Sequence, residues 1–280
     1  MRYKESKYIG YDGTRMFMAT WIPDDERPRA LVIAIHGLGS HGLDLAVLGE
    51  YFAERGVAVF APDMRGFGHF EGRKGHVMRF DEYIEDIQNI VMQSKDRYLN
   101  ALTYLFGGSL GGLKVVRYVV AYPNTVDGIM LQCPAVTHSI DINPVTKIFA
   151  NILSILNVKR YFGDFTKYED GTRNPEAIKR HEEDPLRFEQ VTPRFGMEAL
   201  KASKESFEFG PRITLPVYYQ QGGEDKLVPV DESQKFYETI ASADKTFRLY
   251  DGLYHELIEE PENEQVLGDM YGWLEKRLPS

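Results

Sequence analysis

The chain has 280 residues, of which 43% are hydrophobic and 27% charged, and a formal net charge of −9. That length suits one large α/β domain or a domain with an insertion, and the acidic balance excludes a nucleic-acid partner and a basic stripe for anionic lipid. A single cysteine, Cys133, excludes an internal disulfide. With no apolar signal core at the N-terminus and no run near the roughly 18 apolar residues of a membrane span, the expectation is a soluble, cytoplasmic protein.

Residues 3–9 and 15–21 read as paired strands around Asp12-Gly13, a two-residue hairpin signal because both turn positions favour positive φ. Residues 30–36 form a continuous apolar run without alternation, as expected of a strand covered on both faces. Residues 43–55 have helical spacing and residues 57–62 form a second buried strand. A helix follows over 80–94, where Tyr83, Ile84, Ile87 and Val91 recur at three- and four-residue steps. Residues 101–106 are β-prone, residues 113–122 are of helix length, and 128–133 form another strand. After an interval the rhythm resumes, with strands at 216–220 and 245–250 and helices at 231–240 and 263–277. Strands alternating with helices predict a mostly parallel, doubly wound α/β sheet covered on both faces.

The interval, residues 135–210, reads as an insertion. Asn143-Pro144, Asn174-Pro175, Asp184-Pro185 and Thr192-Pro193 each mark an element boundary within it. Residues 145–158 place apolar side chains at 145, 148, 149, 152, 155 and 156 on one helical face. That face either packs on the rest of the insertion, or acts as a lid that lines the route to the site or touches lipid aggregates.

Chemistry concentrates where the 101–106 strand meets Gly107-Gly108-Ser109-Leu110-Gly111-Gly112. Gly-x-Ser-x-Gly between a strand and a helix is the pattern of a nucleophile elbow. A serine on such a turn is backbone-strained, and bulky flanking residues would collide with the crossing chain. A hydroxyl needs a base, and the base an anionic orienter. Of the seven histidines, His255 follows the last predicted strand, while Asp225 follows the strand before it. In a doubly wound sheet both loops share the rim with Ser109. The order Ser109, Asp225, His255 is that of the α/β-hydrolases. Glu224 is a rival orienter. The oxyanion hole calls for backbone N–H donors, from Leu110 after the nucleophile and from Leu38 in the glycine loop after the first buried strand. Cys133 reads as a small buried hydrophobe. No His-Glu-x-x-His or zinc-type set is present, so no metal is expected.

The chain resembles the monoacylglycerol lipase and lysophospholipase group of α/β-hydrolases, also described as serine-aminopeptidase-like. The resemblance rests on His36-Gly37-Leu38-Gly39, Asp63-Met-Arg65-Gly66-Phe-Gly68, the elbow, Asn174-Pro175, Asp184-Pro185-Leu186, Gly222-Gly223-Glu224-Asp225 and Leu253-Tyr254-His255-Glu256. It implies an α/β-hydrolase core over 1–134 and 211–280 with a helical cap over 135–210. It also implies a Ser-His-Asp site acting on carboxylic esters, often monoacylglycerols, with no metal or organic cofactor. The substrate is then a small-molecule ester with an acyl chain, and Ile148 and Ile152 of the cap are candidate substrate contacts. Alternatives on the same triad are a lysophospholipase, a short-chain or aryl esterase, a thioesterase or an aminopeptidase; a non-catalytic ligand-binding member of the fold is the alternative from another class. Two positions depart from the group: Gly108 stands where a histidine usually precedes the nucleophile, and Phe70 where serine is common.

Overall fold

A computed structural model describes residues 1–99, 101–138, 143–162 and 167–278. Among these, eight strands form one sheet in the order β1-β2-β4-β3-β5-β6-β7-β8, where β1 is Arg2–Ile9, β2 Arg15–Ile22, β3 Ala30–Ile35, β4 Val57–Pro62, β5 Leu102–Gly108, β6 Gly128–Gln132, β7 Val217–Gly222 and β8 Lys245–Tyr250. β1 and β2 pair as a hairpin, with Ile9 opposite Arg15, but residues 10–14 connect them in place of the expected two-residue turn, and of Asp12 and Gly13 only Gly13 is at positive φ; β2 runs antiparallel to β4. From β4 through β8 every neighbouring pair is parallel. β3 and β4 are buried along their whole length, as continuous apolar runs require.

Helices α1 (Ala46–Ala53) and α9 (Asn263–Glu275) cover one face, with Leu48, Phe52, Met270 and Trp273 packed on Val32, Phe106, Met130 and Tyr218. Helices α2 (Asp81–Arg97), α3 (Leu110–Ala121) and α8 (Val230–Thr239) belong to the other, with Tyr83, Ile87, Val116 and Phe236 in one core with Ile33, Leu105, Leu131 and Tyr219. The predicted 43–55 helix is broken: Gly42–Leu45 is a 3-10 turn before α1. The Gly42 N–H is held at 2.7 Å by the buried Asp63 carboxylate, which ties the entry of the segment to the end of β4. α3 begins three residues earlier than its periodicity suggests, directly after Ser109.

Between β6 and β7 lie α4 (Pro144–Ile155), the four-residue α5 (Tyr168–Gly171), α6 (Pro175–Glu183) and α7 (Pro193–Phe207). Positions 139–142 and 163–166 of the predicted insertion lie outside the described residues. Three of its X-Pro boundaries are helix starts, at Pro144, Pro175 and Pro193; at the last two the Asn174 and Thr192 side chains accept from the first-turn N–H groups, and the proline takes the first helical position, where it loses no bond. α4 turns its apolar side out: Ile148, Phe149, Ile152, Ile155 and Leu156 are 49–68% exposed, while Ser154 is buried.

Lys114 of α3 is fully buried, its Nζ 4.3 Å from the Tyr83 ring centroid and without a hydrogen-bond partner. Burial lowers its pKa to about 7, only partly countered by the Asp86 charge. A free lysine titrates near about 10.4. Between those values the unfolded chain binds a proton that the folded chain does not, so stability is full above about pH 10 and declines as pH falls toward 7. Lys114→Met should flatten that dependence and raise neutral-pH stability by about 1.4 kcal/mol per unit of the shift removed. Thermal melts from pH 6 to 10 check this, and parallel curves for the two proteins would contradict it.

Candidate active site

The site starts from the backbone of Ser109, at φ 52° and ψ −120°. A non-glycine residue there costs on the order of 1–3 kcal/mol. Three main-chain bonds hold the turn: the Ser109 N–H donates to Gln132 O (2.9 Å), and its carbonyl accepts from Ala135 N (2.9 Å) and Leu113 N (3.2 Å). A Cβ at Gly111 would stand 2.0 Å from the Ile35 carbonyl, so only glycine lets α3 start against the end of β3. Ser109 thereby meets the loop after β3, its Cβ 3.4 Å from the position a Gly37 Cβ would take. Leu38 follows in that loop and Leu110 opens α3, where first-turn N–H groups have no partner within the helix.

β7 and β8 bring the second half of the site to the same rim. Asp225 Oδ2 accepts from His255 Nδ1 at 2.8 Å and from Gln221 Nε2 at 2.8 Å, while Oδ1 accepts from the N–H groups of Leu227 (2.8 Å) and Val228 (2.9 Å). Glu224, the rival, is exposed. Burial opposes ionisation of Asp225, but the facing His255 and these donors outweigh it, and its pKa is lowered. Burial likewise disfavours the His255 imidazolium, yet the Asp225 carboxylate prevails and raises the pKa. With Nδ1–H given to Asp225, Nε2 carries the lone pair. It is buried and has no protein partner.

Ser109 and His255 line one cavity of about 90 Å³. Its walls come from the sheet rim, with Leu38, Gly108 and Gln132, and from the 135–210 interval, with Tyr168, His181 and Arg187. The Arg187 guanidinium is held by Asp44 at 2.7 Å, with Glu256 at 3.7 Å and Glu189 at 3.8 Å. His181 is 1% exposed, and neither ring nitrogen is hydrogen-bonded. Burial lowers its pKa to about 4 and raises that of neighbouring Glu259 to about 7. Cys133 is buried, and burial together with Asp225 pushes its thiol well up, so it stays protonated and inert.

The structure thus gathers Ser109, Asp225, His255, Leu38 and Leu110 at one rim. Ile148 and Ile152 are on the outer face of α4, 63% and 49% exposed, and are not among the cavity walls. Gln132, Gln221, His181 and Arg187 were not legible as site residues. The two glutamines close strands and signal only by polarity in otherwise apolar runs. The other two sit in a helix and a loop whose contacts depend on the tertiary fold. Among the remaining histidines, His36 and His69 are structural: His36 Nε2 accepts from Met64 N at 2.9 Å, and His69 is bound to Asp63 at 2.8 Å.

A parallel sheet with its strained serine between β5 and α3, facing a buried histidine–carboxylate pair, defines an α/β-hydrolase. Within that class the chain belongs to the family described as serine aminopeptidase, S33, whose model matches residues 26–262. A monoacylglycerol lipase of Mycolicibacterium smegmatis is 29% identical over 279 residues, covering 98% of each chain. The phospholipase YtpA of Bacillus subtilis is 29% identical over 251 residues, 89% of this chain and 95% of its own length. The crystal structure of Paleococcus ferrophilus monoacylglycerol lipase is 28% identical and superposes with a TM-score of 0.81, covering 98% of both chains.

The hydrogen bond between His255 and Asp225 makes a two-part prediction. In the parent, kcat/KM should fall on the acid side through a pKa above the free-histidine value of about 6.5, because a raised pKa keeps the imidazole protonated to higher pH. Asp225→Asn should move that limb below 6.5, since burial then faces only the smaller effect of the Glu256 charge, and lower kcat by roughly 10³- to 10⁴-fold. Glu224→Gln should do neither. Profiles from pH 5 to 9 decide; a severe Glu224→Gln with a mild Asp225→Asn would reverse the assignment.

Proposed function

We propose that this hydrolase cleaves carboxylic esters through an acyl-enzyme and that its substrates are monoacylglycerols. Ser109 attacks the ester carbonyl, His255 Nε2 takes its proton and then gives it to the leaving alcohol, and Asp225 orients the ring. The N–H groups of Leu38 and Leu110 receive the oxyanion. The observation that carries this reading is the single cavity shared by Ser109 and the unpartnered Nε2 of a histidine whose other nitrogen is fixed by a buried carboxylate. None of these steps calls for a metal or organic cofactor.

Residues 135–210 act in this reading as the cap. At about 90 Å³ the cavity is small, which suits a polar headgroup better than a long chain. The acyl chain then runs toward the mouth and the outer face of α4, where Ile148 and Ile152 meet it or a lipid aggregate. Each methylene withdrawn from water contributes about 0.8 kcal/mol. The relatives include a phospholipase, but the Asp44, Glu189, Glu256 and Glu259 carboxylates in the cavity wall oppose a phosphate. Among the described residues no helix is long and apolar enough to cross a membrane, and a cytoplasmic location remains part of the proposal.

Ser109→Ala should abolish ester hydrolysis and labelling by a fluorophosphonate probe while leaving the melting temperature near that of the parent. Labelling that survives would move the nucleophile elsewhere. A panel of monoacylglycerols, p-nitrophenyl esters, lysophospholipids and aminoacyl anilides tests the substrate class, with monoacylglycerols expected to be turned over best.

For the cap, the double variant Ile148→Ser with Ile152→Ser should raise KM for a long acyl ester far more than for the acetate. The acetate reports the chemistry and the long chain reports the helix. Equal losses on both would mean that α4 only holds the cap together.

A further inference from the structure

We infer that Gly108 and Gln132 together form a subsite for a hydroxyl of the leaving alcohol, with the Gln132 amide as the specificity-determining contact. The inference rests on the ester-hydrolase reading above and adds which residue reads the headgroup.

Three glycines around the nucleophile are demanded by the fold. A Cβ at Gly107, Gly111 or Gly112 would lie 2.0–2.6 Å from Gly111 O, Ile35 O or Pro134 Cβ. Gly108 is different. Its φ is not positive, and a Cβ there would meet only Gln132 Nε2, at 3.5 Å, an ordinary contact. The backbone therefore does not require glycine at 108. What its absence of a side chain does is leave space immediately before Ser109, on the cavity side, since both Gly108 and Gln132 are cavity walls.

The amide that borders this space is fixed in place. Gly108 and Gln132 are register partners between β5 and β6, and Gln132 and Gln220 between β6 and β7, so their side-chain positions form one row across the sheet. Gln220 Nε2 donates to Gln132 Oε1 at 3.1 Å, which turns the Gln132 NH2 toward Gly108. A buried amide held by its oxygen, with its donor end at a cavity, is preorganised to bind an acceptor. A hydroxyl suits it.

The cavity that Gln132 lines is also lined by His255, which places the amide in the same space as the group that must protonate the leaving alcohol. The leaving oxygen must approach the group that protonates it, and the cavity includes His255 together with Glu256, Ile258 and Glu259 from the same loop. His181, buried with neither ring nitrogen hydrogen-bonded and the Glu256 and Glu259 carboxylates 3.6 and 3.9 Å away, lines the same cavity. A polyhydroxy leaving group supplies partners to both; a simple alkoxide leaves them unsatisfied, and such loss is where hydrogen-bonding sites discriminate most.

The test compares a monoacylglycerol with the methyl ester of the same acyl chain. Gln132→Leu should lower the ratio of kcat/KM for the two at least tenfold, with the change in KM for the glyceryl ester, because a contact made equally in ground and transition states appears there. Gly108→Ala, which the backbone accommodates, should narrow the space and lower the ratio in the same direction, and it carries the test if Gln132→Leu does not fold. Equal losses on both esters in Gln132→Leu would make the glutamine a purely structural link to Gln220. An unchanged ratio in a folded Gly108→Ala would also overturn the inference. Either result leaves the ester-hydrolase reading standing, whereas hydrolysis surviving in Ser109→Ala removes that reading itself.

Discussion

The structure depends on a single main-chain turn. Ser109 is held at positive φ between a buried strand and a helix that starts at the next residue, at a cost on the order of 1–3 kcal/mol. That cost is offset because three main-chain bonds converge on the residue from β6, from α3 and from the chain just beyond β6. The strain is therefore shared by the most buried part of the sheet, where local opening would be most costly. The same geometry dictates the neighbours. α3 can start there only if Gly111 lets the helix touch the Ile35 carbonyl, and the loop after β3 passes Ser109 in ordinary contact at Gly37.

The segment between β6 and β7 is tied to both halves of the site. On one side it holds the histidine loop: Glu256 N donates to Gly171 O at 2.8 Å, Asn174 Nδ2 donates to Glu259 O at 3.0 Å, and Arg173 pairs with Glu260 at 2.7 Å. On the other it holds the loop after β3: Phe188 N donates to Gly39 O at 2.9 Å, His41 Nε2 meets Asp184 at 2.9 Å and Arg187 meets Asp44 at 2.7 Å. Gly39, at φ 75°, makes room for Glu189, whose Cγ would be 2.7 Å from a Cβ there. Residues 171–189 therefore brace the rim loops on both sides of the site. α4 is the exception: it packs on α7 but presents isoleucine, leucine and phenylalanine to solvent.

This division explains what was legible in the sequence. The parallel strands β3 to β6 are mostly apolar runs, whereas β8 alternates polar and apolar residues at the sheet edge, and the helices between most of them have three- and four-residue spacing, so the fold follows from periodicity. The serine is marked by glycines that close packing demands, and Asp225 and His255 are marked by following strands whose ends must share a rim. The start of α3 was hidden because Gly111 and Gly112 have poor helix propensity, yet packing against β3 overrides it. α6 is short and polar and α7 largely polar, and only their X-Pro caps announced them. The outward apolar face of α4 was invisible because periodicity gives the width of a stripe and not the partner it faces. The cavity's polar wall was invisible for a related reason: Asp44, the 181–187 stretch with His181 and Arg187, and Glu256 are far apart in the chain and acquire a common role only once the brace is in place.

The resulting electrostatics bear on the proposed chemistry. His255 lies in a wall where Asp44, Glu189, Glu256 and Glu259 face Arg187 and Lys167. Carboxylates outnumber cations there, and burial answers by raising the pKa values of Glu256 and Glu259. Glu256 adjoins His255, and its charge adds to that of Asp225 in favouring the imidazolium. That favours proton uptake from Ser109 but makes the later transfer to the leaving alcohol harder. A leaving group that brings hydroxyls to this wall relieves the conflict, since its dipoles can solvate the carboxylates that otherwise hold the proton on His255. A simple alkoxide brings no such dipoles. Headgroup recognition and proton transfer are in this sense one electrostatic problem, set by the charges with which the brace lines the cavity.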